Sequence, residues 1–150
     1  MSHPGNEKLA ILFREELWNT GNMAVADQIL APDCSIESRI PISTDFLRGP
    51  EAIKMLILFY KSAFSDVAMK VETIVSDENL VSSRWSGVGK HTGDLLGIAP
   101  TGKVIKSEGV DFFRIENGRI VGGWINWDAL GLLRQLDLLP LPKPFDELFP

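Results

Sequence analysis

Between Ser83 and Asp128 the chain carries Arg84, Trp85, His91, Asp111, Trp124, Asn126, Trp127 and Asp128 on successive strand-like segments. Polar groups that recur among aromatics on neighbouring strands point to a small-molecule pocket, because a plain sheet core would be apolar throughout. The residue types suit proton-transfer and carbonyl chemistry. An arginine grips carboxylates, carbonyl oxygens or developing oxyanions. A histidine donates a hydrogen bond or serves as an acid near its unperturbed pKa of about 6.5. An aspartate accepts protons once burial lifts its pKa.

Other chemistries fit poorly. The chain has one cysteine and two histidines, and His3 lies near the start, so no zinc ligand set of the usual kind is expected. An Asp/Glu metal site has no spacing signature here. Gly87, Gly89, Gly93 and Gly97 invite comparison with a phosphate loop. The Gly-Lys-Ser/Thr ending is missing, however, and Pro100-Thr101-Gly102-Lys103 precedes a strand rather than a helix.

The 150 residues suit a single domain over 1–150, large enough to bury a core without disulfides. Hydrophobic content of 45% and charged content of 23% are those of an ordinary soluble globular protein. A net charge of −5 with scattered Lys and Arg argues against nucleic-acid binding. The lone Cys34 fits a reducing cytoplasm. The start lacks signal-peptide character, and the apolar run from Met55 to Tyr60 is too short to span a membrane.

The elements that must position these residues are legible from periodicity. Leu9, Leu12, Phe13 and Leu17 mark one face of a first helix, with Glu7, Lys8, Arg14 and Glu15 elsewhere on the wheel. A short helix over Met23–Leu30, a strand over Cys34–Ile40 and a loop over Pro41–Arg48 follow. Gly49-Pro50-Glu51 opens a third helix whose Ile53, Leu56, Ile57 and Tyr60 share a face. Met55, Leu58 and Phe59 make its other sides apolar too, which predicts deep burial or a dimer contact.

From Val67 the period becomes 2, giving strands over Val67–Ser76, Leu80–His91, Val104–Ile115 and Arg119–Trp127. Asn117-Gly118 between the last two is a type I′ hairpin signal. Leu130–Leu136 reads as a closing helix, and the proline-rich tail over 140–150 as extended chain. Helices followed by antiparallel strands make an α+β fold, with a cavity between them if the sheet curls.

At this level of detail the chain resembles the SnoaL-like polyketide cyclases of the nuclear transport factor 2-like superfamily. The similarity rests on His91–Lys103 (HTGDLLGIAPTGK), Gly109–Ile120 (GVDFFRIENGRI) and Trp127–Leu136 (WDALGLLRQL). The resemblance implies a cone-shaped α+β fold, a homodimer, and a cofactor-free intramolecular aldol closure of a polyketide-like substrate. It also implies Asp111 as the base that removes the acidic proton, and His91 and Arg84 would then polarise carbonyl oxygens. The residues of this chain leave open a structural ion pair of Asp111 with Arg84 or Arg114. His91 as a loop anchor, and Arg84 paired with Glu72, Glu108 or Asp111, also remain open.

Trp85, Trp124, Asn126, Asp128 and Phe113 are the substrate-contact candidates. The face of the last strand bearing Trp124 and Asn126 is expected to be the pocket wall, and Asp128 doubles as a helix cap. Gly122-Gly123 is expected to leave room for a bulky ligand. The chain is also similar to limonene epoxide hydrolase, whose Arg/Asp/Asp set aligns with Arg84, Ser86 and Asn126. Only the arginine is kept there, and Asn cannot accept a proton from water. Epoxide opening by a hydrolase or cyclase of that type is the second enzyme alternative, and a ligand-binding domain without catalysis is the non-enzyme alternative.

Overall fold

The computed structural model describes residues 1–38 and 46–139. The predicted tail over 140–150 and most of the predicted loop after the first strand lie outside these residues. One six-stranded sheet runs in the order β2-β1-β6-β5-β4-β3. Its strands are β1 (Leu30–Ser38), β2 (Phe46–Arg48), β3 (Phe64–Ser76), β4 (Leu80–His91), β5 (Val104–Glu116) and β6 (Arg119–Trp127). All neighbours are antiparallel except β1 and β6. The first strand thus returns beside the last, a parallel pairing that needs the long intervening chain as its crossover.

Strands β3 to β6 fall close to where alternation places them, because period 2 is a strong signal in half-buried strands. Asn117 and Gly118 both take positive φ, 50° and 71°, as a type I′ hairpin requires. Phe46–Arg48 pairs with Glu37–Ser35 as an edge strand rather than continuing the predicted loop. Register shifts within β3–β4, β5–β6 and β1–β6 bend the strands, so the sheet curves around the helices.

The helices fill the concave side. The first helical stretch comprises α1 (Pro4–Ile11), a π-helical turn (Leu12–Glu16) and α2 (Leu17–Thr20). Short α3 (Ala24–Ile29) leads into β1, and α4 (Gly49–Ala63) leads into β3. The closing α5 (Ala129–Gln135) lies against β5. Phe13, Leu17, Ile36, Ile53, Ile57, Phe113 and Ile120 are among the buried core between helices and sheet.

Helix α4 buries Ile53, Leu56 and Ile57 but leaves Met55 71% exposed and Leu58 55% exposed. Within one chain it is therefore covered on one face only. The predicted use of Gly122-Gly123 as ligand space is corrected. A Cβ on Gly122 would meet Ser35 O at 2.9 Å, and one on Gly123 would meet Phe112 O at 2.1 Å. These glycines let neighbouring strands approach closely.

Candidate active site

Arg14 is the centre of the site, although the sequence pattern assigns it to the polar side of its helix. It lies in the π-helical turn, where the one-residue excess rotates the following side chains relative to a continuous α-helix. The turn sends Arg14 inward together with Phe13, Leu17 and Trp18. Its guanidinium stacks 4.0 Å from the centroid of Trp85, with Trp18 at 5.5 Å and Phe13 at 5.4 Å. Such cation–π contacts replace part of the hydration lost on burial.

The counter-charge is Asp111. Arg14 Nε donates to Oδ2 at 2.9 Å and Nη2 donates to Oδ1 at 2.5 Å, a bidentate pair with both side chains buried. Trp85 Nε1 adds a third donor to Oδ1 at 3.1 Å. Register explains the convergence. Ser83 stands opposite Asp111 and Trp85 opposite Gly109, so the indole must lean diagonally to reach the carboxylate. A Cβ on Gly109 would lie 2.5 Å from that indole, so only glycine leaves it the space. Burial pushes the Asp111 pKa above its ordinary value, while Arg14 and Trp85 pull it down; burial prevails.

Arg14 and Trp85 line a cavity of about 90 Å³ whose wall is mostly apolar. Leu56 and Tyr60 of α4, Met69 of β3, Ile105 of β5, and Ile125 and Trp127 of β6 supply much of the remainder. Trp18 and Ser38 also line it, and the Trp18 indole N–H and the Ser38 hydroxyl are buried without hydrogen-bond partners among the described residues. The arrangement can bind a largely apolar ligand and hold an oxygen on a fixed cation. Among the described residues no group of three His, Cys, Asp or Glu side chains is placed to hold a metal. Nor is any helix there long and apolar enough to cross a membrane.

The structure sorts the sequence candidates sharply. Trp85 lines the cavity and Asp111 backs onto its wall, fully buried behind Arg14 and Trp85. Arg84 is not brought to the site. It lies on the outer face, half exposed, donating to Glu108 at 2.8 Å. The choice of wall on β6 is reversed as well. Asp111 stands opposite Ile125, so Ile125 and Trp127 face the cavity while Trp124 and Asn126 face outward. Ser86, the third position aligned with epoxide hydrolase, sits beside Glu72 and donates to its carboxylate at 2.6 Å.

Phe113 belongs to the core, edge-on to Phe13 with centroids 4.8 Å apart. Asp128 caps α5, accepting from the Gly131 N–H at 2.8 Å. His91 is a buried loop anchor behind Phe64. Its Nδ1 accepts from the Thr101 N–H at 3.3 Å and sits 3.0 Å from the Thr101 hydroxyl. An accepting Nδ1 places the proton on Nε2, which has no partner among the described residues. Arg14 is the residue sequence reasoning missed. The available signal was its flanking by Ala10 and Trp18 at i−4 and i+4, a second apolar row beside Leu9, Phe13 and Leu17.

Comparison with known proteins gives a consistent picture. Residues 8–136 match the sequence profile described as SnoaL-like polyketide cyclase. The chain is 38% identical over 101 residues to the aklanonic acid methyl ester cyclase DnrD of Streptomyces peucetius, covering 65% of this chain and 68% of that protein. It is 30% identical over 132 residues to the nogalonic acid methyl ester cyclase of Streptomyces nogalater, covering 87% and 94%. Among solved structures, TsrD from Streptomyces laurentii superposes with a TM-score of 0.78 at 26% identity, covering 93% of this chain and 99% of that one.

Proposed function

The chain belongs to the SnoaL-like polyketide cyclase family, and from that premise we propose that it closes a carbon ring in a polyketide ester without a cofactor, at the Arg14–Asp111 pair. The small-molecule substrate lies in the cavity between α4 and the sheet. One observation carries the assignment: a fully buried, bidentate ion pair in the wall of an otherwise apolar cavity. Such a pair is rarely the most stable way to fill a core, since apolar side chains of similar volume do as well or better. Its presence here is accounted for by chemistry.

The steps follow from the groups present. Arg14 spends two of its five N–H donors on Asp111, leaving three for a ligand. These hold the carbonyl oxygen that becomes an enolate oxygen, in a site where low dielectric strengthens the contact. Asp111 takes the proton from the adjacent carbon. Trp85 covers Asp111 in the unliganded arrangement. Its 3.1 Å bond from a neutral indole is the longest of the three, and its release frees one lone pair of Oδ1 while both carboxylate oxygens stay on Arg14. The enolate carbon then attacks a second carbonyl of the same molecule, held near by the cavity walls.

The test is mass-resolved turnover of polyketide methyl esters beside an enzyme-free control. The protein is expected to speed formation of a product of unchanged mass, or lighter by one water. Because the base works ionised, the rate should fall as the pH drops through the Asp111 value, which burial sets above 3.8. Asp111→Asn should abolish that limb. A ligand retained without turnover would favour the binding-domain alternative.

We also place a second copy of this chain on the outer sheet face. Val110, Phe112 and Trp124 adjoin there, each at least a third exposed, and a contiguous exposed apolar patch is the mark of an interface. The buried free thiol of Cys34 accords with a cytoplasmic setting.

A further inference from the structure

Tyr60 stands on the cavity wall from α4 with its ring fixed by three aromatic neighbours. It meets Trp127 edge-on at 5.9 Å and 88°, Phe59 at 5.2 Å and 75°, and Trp18 at 6.0 Å. Every one of these contacts is made by the ring, so phenylalanine would pack as well. The side chain is half-buried, and its hydroxyl makes no hydrogen bond among the described residues. Burial also raises the phenol pKa well above its ordinary value, so the group stays a neutral O–H donor.

An aldol closure develops charge on two oxygens, that of the enolate and that of the carbonyl under attack, and Arg14 accounts for one of them. We propose that Tyr60 is the second oxygen-binding donor of the site, its hydroxyl meeting the carbonyl oxygen under attack. This rests on the ring-closure reading above. Trp18 neighbours both donors, 5.5 Å from the Arg14 Cζ and 6.0 Å from the Tyr60 ring. The two donors therefore share one indole neighbour, and all three line the same cavity.

As the new carbon–carbon bond forms, the π pair of the attacked carbonyl moves onto its oxygen. Tyr60 passes its proton to that oxygen, giving a hydroxyl. The phenolate recovers a proton through solvent, and the Asp111 carboxyl that took the C–H proton returns one. Protons balance and no oxidant or reductant is needed. A phenol is a far stronger donor than the Ser38 and Ser107 alcohols on the same wall.

The experiment compares wild type and Tyr60→Phe with a ketone and its hydrocarbon counterpart, 1-indanone and indane, by ligand-observed NMR. Wild type should prefer the ketone. The substitution should cut that preference about 5- to 10-fold, the size of one neutral hydrogen bond, with no loss of melting temperature. On a substrate that wild type cyclises, kcat should fall on the order of 10²-fold or more with KM little changed. If Tyr60→Phe keeps both the ketone preference and the wild-type kcat, Tyr60 has no such role, while the Arg14 site stands. If wild type shows no ketone preference, the cavity assignment falls with it.

Discussion

Two arginine–carboxylate pairs hang on the same strand, β5, and they have almost nothing in common. On the inner face Asp111 of β5 holds Arg14 through two bonds, at 2.5 and 2.9 Å, with both partners buried. On the outer face Glu108 of the same strand holds Arg84 through one bond of 2.8 Å, with both side chains more than half exposed. The distances are alike; the surroundings decide the consequences. Water screens the outer pair and competes for each of its groups. The inner pair is buried, with Trp85, Trp18 and Phe13 packed around the guanidinium, so its charges act on whatever enters the cavity at much lower dielectric. Residue type therefore does not locate a site; the face of the strand does.

The contrast can be broken at either pair, and the inner one should show the largest effect. Arg14→Met leaves Asp111 buried without its counter-charge and is expected to destabilise the protein by about 3–5 kcal/mol. Arg84→Ala on the outer face should cost no more than about 1 kcal/mol and leave turnover within about twofold of wild type. Thermal denaturation of the two variants side by side checks this. Equal losses would mean that the inner pair is far better hydrated than its burial indicates.

A smaller effect sharpens the comparison from the outer side. Trp124→Glu adds a charge to the apolar patch with Phe112 and Val110 and should shift the protein toward monomer in sedimentation at micromolar concentration. Turnover per chain should change little, since Trp124 faces away from the cavity. An unchanged dimer would move the interface elsewhere, with the exposed Met55 and Leu58 of α4 the next surface to test.

Much of this was readable from the chain. The hairpin at Asn117-Gly118, the β4 and β6 boundaries and the Asp128 cap follow from local rules, because alternation, turn chemistry and capping each depend on a few adjacent residues. The resemblance found the fold and singled out Asp111 as a candidate, which the structure places, buried, behind the cavity wall. Which face of β6 lines the cavity was not readable. Alternation separates Ile125 from Asn126 but does not say which faces the helices; the pairing of Ile125 with Asp111 does. Arg14 escaped because a charged residue reads as solvent-facing, and a π-helical turn breaks the 3.6 period from which helix faces are judged. The partner of Asp111 was therefore sought among nearby Arg84 and Arg114, when it lies 97 residues away in sequence.

The central claim is that the inner pair is held for chemistry rather than for stability. The double variant Arg14→Met/Asp111→Leu tests it most directly, because it removes both charges and strands neither. Its melting temperature and its ring-closing rate should be measured on the same preparation. The variant should melt at or above the wild-type temperature, as apolar replacement of a buried pair allows, and lose at least about 10³-fold in rate. A well-folded double variant that closes the ring at the wild-type rate would contradict the account.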